Sequence, residues 1–179
     1  LIDAHRPEVH GGRLGQADAG DRLAVVDSAV HDEGVGVVGH ARVAVHAATV
    51  TKVGDDLFAD NTLANFQRFG IDTRYVQRVP GESSGVAPIF VQADSHNSIL
   101  IVKGANAHLL PADIDAAAQA LRECSLIVLQ LEINVDTVYY AIEFGRAHNI
   151  PVLLNPAPAL SGLSREHLVQ LDFLVPNES

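Results

Sequence analysis

Residues 125–154 read SLIVLQLEINVDTVYYAIEFGRAHNIPVLL, and this stretch decides the fold class. Residues 125–131 form a short, nearly continuous apolar run, as expected of a strand buried on both faces. Over residues 135–148 the period changes. Val138, Ile142 and Phe144 or Gly145 recur at helical spacing and turn one face toward a sheet. Residues 150–154 are a second buried run, closed by Asn155-Pro156-Ala157-Pro158. Strand, helix and strand in that order make a βαβ unit, with parallel strands and a sheet covered by helices on both faces.

The same alternation continues outward. A helix near residues 164–171 and a strand over 173–175 follow. Upstream, Pro111 sits just inside a helix that carries Ile114, Ala117, Ala118 and Leu121 inward. Residues 86–91 and 99–102 are β-rich runs around the polar turn Asp94-Ser95-His96-Asn97, which predicts a hairpin. Tyr75 to Val79 reads as a short strand that Pro80-Gly81 turns. Asp55-Asp56 precede Leu57, Phe58, Leu63, Phe66 and Phe69, spaced for one helical face and ended by Gly70.

Composition changes near Thr51. Residues 1–50 contain no Lys, Asn, Phe or Tyr, yet hold five of the nine histidines (His5, His10, His31, His40 and His46) and seven of the 14 glycines. A core needs large side chains. Little packed structure is expected there, beyond a short strand around residues 35–38 or 43–45. The missing residue types have AT-rich codons, which points to GC-rich DNA read out of frame. The chain also has no Met, an expectation that its true start is missing or mis-assigned. The organisation read from the sequence is therefore an atypical extension over 1–50 and a partial α/β domain over 51–179.

Charge and length exclude several function classes. The net charge is −10, which argues against nucleic acid or an anionic membrane as partner. No apolar run is long enough to span a bilayer, and the first residues are not a secretory signal. The single cysteine, Cys124, rules out an internal disulfide framework and fits a reducing, cytoplasmic setting.

Among candidate motifs, Gly34-Val-Gly36-Val-Val-Gly39 has dinucleotide-site spelling but lacks a clear preceding strand, so chance spelling explains it better. The histidines have no metal-ligand spacing, and His96 and His108 fall in turns. Cys124 reads as an inert core thiol. Asp55-Asp56 could hold a cation, and helix capping explains them as well. Glu132 is more informative. It directly follows a buried strand on the carboxyl-end side of a parallel sheet, where open α/β sheets place their ligand crevice. There a carboxylate can accept hydrogen bonds from polyol hydroxyls. The competing role is a charge capping the next helix. Asn155 and Asn177-Glu178 also follow buried strands, which favours a shared crevice.

Six segments carry a family resemblance: Thr-Lys-Val-Gly-Asp-Asp at 51–56, Ser-Gly-Val-Ala-Pro-Ile at 84–89, Lys-Gly-Ala-Asn at 103–106, Leu-Gln-Leu-Glu at 129–132, Asn-Pro-Ala-Pro-Ala at 155–159 and Pro-Asn-Glu at 176–178. In order and spacing the chain resembles the ribokinase and deoxyribokinase branch of the pfkB carbohydrate kinase family. The resemblance implies a ribokinase-like three-layer α/β fold with a β-hairpin lid, and ATP-dependent phosphorylation of a pentose at its 5-hydroxyl. It implies Mg2+ and a monovalent cation (K+) as cofactors. It places Glu132 on the sugar, Ala87 and Ile89 near the substrate, and Asn177 by the nucleotide phosphates. The hairpin over 86–102 would be both lid and homodimer clasp. The family's Gly-Gly-Lys-Gly-Ala-Asn sugar segment and its first strand have no counterpart in residues 1–50. Its Gly-Ala-Gly-Asp anion hole and catalytic aspartate would lie beyond Ser179, so the chain as given is expected to be an inactive central part. The alternatives are another sugar or nucleoside kinase of the family, or a non-catalytic α/β piece that retains the hairpin.

Overall fold

A computed structural model of the chain describes residues 22–26, 46–91 and 97–176. Six parallel strands form the central sheet: β1 (Arg22–Val26), β2 (His46–Val53), β3 (Asp72–Arg78), β6 (Leu126–Leu129), β7 (Val152–Leu154) and β8 (Phe173–Leu174). Their order is β3-β2-β1-β6-β7-β8. The chain therefore builds outward from β1 to one edge, returns, and builds from β6 to the other edge. The switch point lies between β1 and β6, where the carboxyl ends of the strands open a crevice. The predicted parallel α/β sheet is the observed one.

The helices are α1 (Leu57–Arg68), α2 (Pro111–Leu121), α3 (Val135–His148) and the single turn α4 (Arg165–Leu168). One core joins α2 and α3 to the sheet through Ile114, Ala117, Leu121, Val138 and Ile142 against Val50, Ile127, Leu129, Val152 and Leu154. On the other face, Ala59 and Phe66 of α1 pack with Val25, Val53 and Val128. Residues 128 and 129 thus feed opposite cores, as alternation along a strand requires. Gly145 allows α3 to lie close on β7, since a Cβ there would come within 2.3 Å of Val152 Cγ2.

Two expectations are corrected. Packed structure does precede residue 51. β1 pairs in parallel with β2 on one side and with β6 on the other. Ala24, Val25 and Val26 are completely buried. A middle strand of a parallel sheet needs only small or β-branched side chains, because its neighbours satisfy its backbone and the helices supply the bulk. The absence of aromatics was therefore no bar. β2 also crosses the compositional boundary, with Val50 buried in the core. The candidate strands at 35–38 and 43–45 and the glycine motif at 34–39 lie outside the described residues.

The second correction concerns α1. Leu57 and Phe58 are 80% and 58% exposed, while Ala59 and Phe66 face the sheet. The cap sets this rotation. Asp56 Oδ1 accepts the Ala59 N–H at 2.9 Å, and Ser84 donates to both carboxylate oxygens, at 2.6 Å from its N–H and 2.8 Å from its hydroxyl. Asp56 thus takes the capping role and anchors residue 84 with both of its oxygens. Burial pushes the Asp56 carboxyl up, but the hydrogen bonds from Ser84 and Ala59 outweigh it and hold it below its ordinary value of 3.8. A depressed folded value stabilises the fold above the unfolded value, and that stabilisation is lost as pH falls through the folded one. The stability gap between the wild type and Asp56→Asn should therefore be constant near neutrality and shrink in acid below the ordinary carboxylate range. A gap independent of pH in urea titrations would exclude this role.

The predicted hairpin forms with other bounds, from β4 (Ile89–Val91) and β5 (Asn97–Ile99), antiparallel, so that Asn97, expected in the turn, opens β5, and Val86 and Val102 are bridged below them.

Candidate active site at the strand carboxyl ends

The end of β6 runs directly into the loop that carries Glu132. Leu131 and Ile133 are almost fully buried and fix this loop from either side, while Glu132 between them is partly exposed. The Leu131 N–H donates to Ala157 O at 2.9 Å, and the Asn155 N–H donates to Leu129 O at 2.9 Å. The Asn-Pro-Ala-Pro segment therefore buttresses the Glu132 loop. On the opposite side Lys103 Nζ donates to Ile133 O at 3.3 Å, and Asn134 Nδ2 donates to Ala107 O at 2.6 Å. The segment after the hairpin thus holds the loop from its other flank. Asn134, not Glu132, is the N-cap residue of α3. The N-cap position weighed for Glu132 falls two residues further on, at a side chain that makes no capping hydrogen bond.

The root of the hairpin is anchored to the same end of the sheet. The Gly54 N–H donates to Ser84 Oγ at 3.0 Å, the Asp55 N–H to Glu82 O at 2.8 Å and the Ala105 N–H to Ser83 O at 2.8 Å. Three of the recognised segments, at 51–56, 84–89 and 103–106, are here the interlocking parts of one backbone junction. Ala87 is half-buried one residue above the Val86–Val102 bridge, and Ile89 opens β4 opposite Ile99. Asn177 and Glu178 lie outside the described residues, as does His96. Crevice and hairpin root are brought together; the nucleotide-side candidate is not placed.

The remaining candidates are structural. Cys124 donates to Ala120 O at 3.3 Å, and burial pushes its thiol up to about 11, so it carries no thiolate at neutral pH. His108 Nε2 lies 3.4 Å from Glu82 Oε1 at the surface. Among the described residues no group of three or more His, Cys, Asp or Glu is arranged to hold a metal ion. No helix among them is long and apolar enough to cross a membrane.

Two features escaped the sequence reading, and a third adds to Asn155, which it had placed at a strand end. Ser84 is completely buried and is the node of the hairpin root. Lys52 Nζ donates at 2.6 Å to both Asp113 Oδ1 and Gln77 Oε1, a nearly buried ion pair between β2 and α2. Asn155 presents a buried Oδ1 without a partner at the end of β7. A lysine inside a buried strand was the available signal for the second, because such a charge must be paired. For Ser84 no local signal exists.

Comparison with known proteins agrees with this geometry. The chain is 62% identical over 130 residues to a deoxyribokinase of Salmonella typhi, covering 73% of this chain and 42% of that protein. It is 37% identical over 141 residues to a ribokinase of Bacillus subtilis, covering 79% and 47%. The chain thus spans less than half the length of these relatives. Its fold superposes on the structure of Arabidopsis thaliana ribokinase complexed with ribose and ATP with a TM-score of 0.76, at 21% identity, over 90% of this chain and 61% of that one. Residues 35–179 match the family described as pfkB family carbohydrate kinase, so the match begins upstream of the boundary at residue 51. Because that match takes in most of the chain, the crevice loop and the hairpin root among it, the chain belongs to the pfkB family of carbohydrate kinases.

Proposed function

We propose that this chain is the sugar-binding part of an ATP-dependent kinase that phosphorylates a pentose, ribose or deoxyribose, at its 5-hydroxyl. The observation that carries the reading is the placement of Glu132. It stands on a loop braced from both flanks at the carboxyl end of a central strand, in a chain 62% identical over 130 residues to a deoxyribokinase. An ionised carboxylate accepts several hydrogen bonds and suits a ligand rich in hydroxyls. Ala87 and Ile89, at the start of the hairpin, would lie over the sugar. Asn177 would face the nucleotide phosphates, with ATP and Mg2+ as cofactors and K+ as a further cation. The single thiol fits a cytoplasmic protein.

Phosphoryl transfer requires charge stabilisation around the transferred group and a base that takes the hydroxyl proton. No Gly-Ala-Gly-Asp segment occurs in the 179 residues, so sugar binding without turnover is expected of this chain. Calorimetric titration with ribose and deoxyribose, beside a coupled ADP-release assay, tests both statements. Glu132→Ala should weaken binding about ten- to hundredfold, because a charge-assisted hydrogen bond contributes roughly 1.5–3 kcal/mol. Unchanged affinity in that variant would remove Glu132 from the site, and robust turnover would overturn the expectation of an inactive chain.

The hairpin supports a homodimer. Phe90, Leu100, Ile101 and Val102 are 41–59% exposed on a two-stranded ribbon that has little core of its own. Sedimentation analysis should show a dimer that Phe90→Lys dissociates. A monomer at high concentration would exclude this role for the hairpin.

A further inference from the structure

The crevice contains more hydrogen-bonding capacity than Glu132. The register aligns Ile127 with Val152, Val128 with Leu153 and Leu129 with Leu154. One step further the ladder ends: the Asn155 N–H still donates to Leu129 O, which keeps Asn155 beside Gln130, while the Leu131 N–H passes on to Ala157 O. Alternation puts both carboxamides on the sheet face of Val128 and Leu153. On the same face, Thr49 and Val25 continue the row of Val128 and Leu153. Two residues on in β2 stands Thr51, before the buried Val53. At the ends of β6 and β7, Val128 and Leu153 are therefore followed on this face by Gln130 and Asn155.

Parts of this polar face are buried and lack partners. Gln130 is 9% exposed and Thr51 is 1% exposed. Among the described residues, the Asn155 Oδ1 and, one row below, the Thr49 Oγ1 are buried without a hydrogen-bond partner. Among them, too, the Thr51 hydroxyl reaches the carbonyl of Lys52 at 3.5 Å. Sequestering such groups is costly unless a ligand or water completes them.

We propose that Gln130 and Asn155 form a hydrogen-bonding shelf that positions the hydroxyls of the sugar beside Glu132. This rests on the reading of the crevice as a pentose site. A carboxamide donates and accepts, as a hydroxyl does, so the two groups can exchange paired bonds. The shelf is uncharged and suits a neutral polyol. Glu132 would supply the strong, charged contact, and the shelf would fix which hydroxyl meets it.

The test is a 15N–1H correlation experiment on the whole chain titrated with ribose and with deoxyribose. The side-chain amide signals of Gln130 and Asn155 should move with the same dissociation constant as the backbone amide of Ile133. Gln130→Leu and Asn155→Leu should each weaken ribose about three- to tenfold, as the loss of neutral hydrogen bonds requires. If sugar moves the Ile133 signal and leaves both carboxamides still, the shelf holds water alone and the inference fails, while the pentose reading stands. Folded variants with unchanged affinity have the same meaning. If neither sugar perturbs any of these signals, the pentose reading itself fails and the shelf falls with it. Should Asn155→Leu not fold, the wild-type carboxamide shifts decide the question.

Discussion

Lys52→Met should destabilise the fold by about 3–5 kcal/mol, the range for breaking one side of a buried ion pair. The Lys52 and Asp113 side chains are only 11% and 13% exposed, with Nζ 2.6 Å from Oδ1. Asp113 Oδ2 meanwhile accepts the Leu110 N–H at 2.9 Å and so closes the first turn of α2. Without the ammonium, the carboxylate is left desolvated with half its partners. For a chain of this size each kcal/mol lowers the melting temperature by about 2–4 °C, so a drop of about 10 °C is expected. The double variant Lys52→Met/Asp113→Leu should recover most of the loss, because a buried pair replaced by apolar groups is often neutral. A double-mutant cycle in urea separates the cases. Strictly additive losses would show that the two residues act independently.

This pair marks where the sequence stops being legible. The apolar runs at 125–131 and 150–154 and the helical period at 135–148 predict β6, β7 and α3, because burial on both faces leaves a direct compositional trace. β1 was unreadable for the opposite reason. Its five residues, Arg-Leu-Ala-Val-Val, carry no period and little bulk, and only the flanking strands β2 and β6 make them a strand. The rotation of α1 was equally hidden. Leu57 and Phe58 look like core residues until Asp56 is bound to Ser84, twenty-eight positions away. Glu132 was legible because a strand end is a local feature. Its bracing by Ala157, Asn155 and Lys103 was not, since those bonds join loops remote in sequence. The segments quoted for the family resemblance gain a physical meaning here: those at 51–56, 84–89 and 103–106 touch one another.

That junction gives the second large effect, at two glycines that grip residues 83–84. A Cβ on Gly54 would fall 2.2 Å from Ser84 N and 2.4 Å from Ser83 C. One on Gly104 would fall 2.4 Å from Ser83 O and 2.7 Å from Ser84 O. All four contacts are backbone atoms, so no side-chain rotation relieves them. Gly104 also has φ +49, where a side chain adds strain of its own. Gly104→Ala should cost about 2–5 kcal/mol, the sum of roughly 1–2 for the left-handed backbone and roughly 1–3 for overpacking. Gly81 is the control. Its φ is +76, but a Cβ there would meet nothing within 4 Å. Gly81→Ala should therefore cost only about 1–2 kcal/mol, the backbone strain alone. The two variants differ in packing and share the conformational penalty. Hydrogen exchange gives the local readout, because the Val86 and Val102 N–H groups each donate to the other's carbonyl at 2.9 Å directly above the junction. In Gly104→Ala these amides should lose protection while those of β6 and β7 keep theirs, since the sheet core does not depend on the hairpin root. Equal costs for the two substitutions, or unchanged protection at Val86 and Val102, would show that the close approach at Ser83 and Ser84 does not hold the hairpin in place.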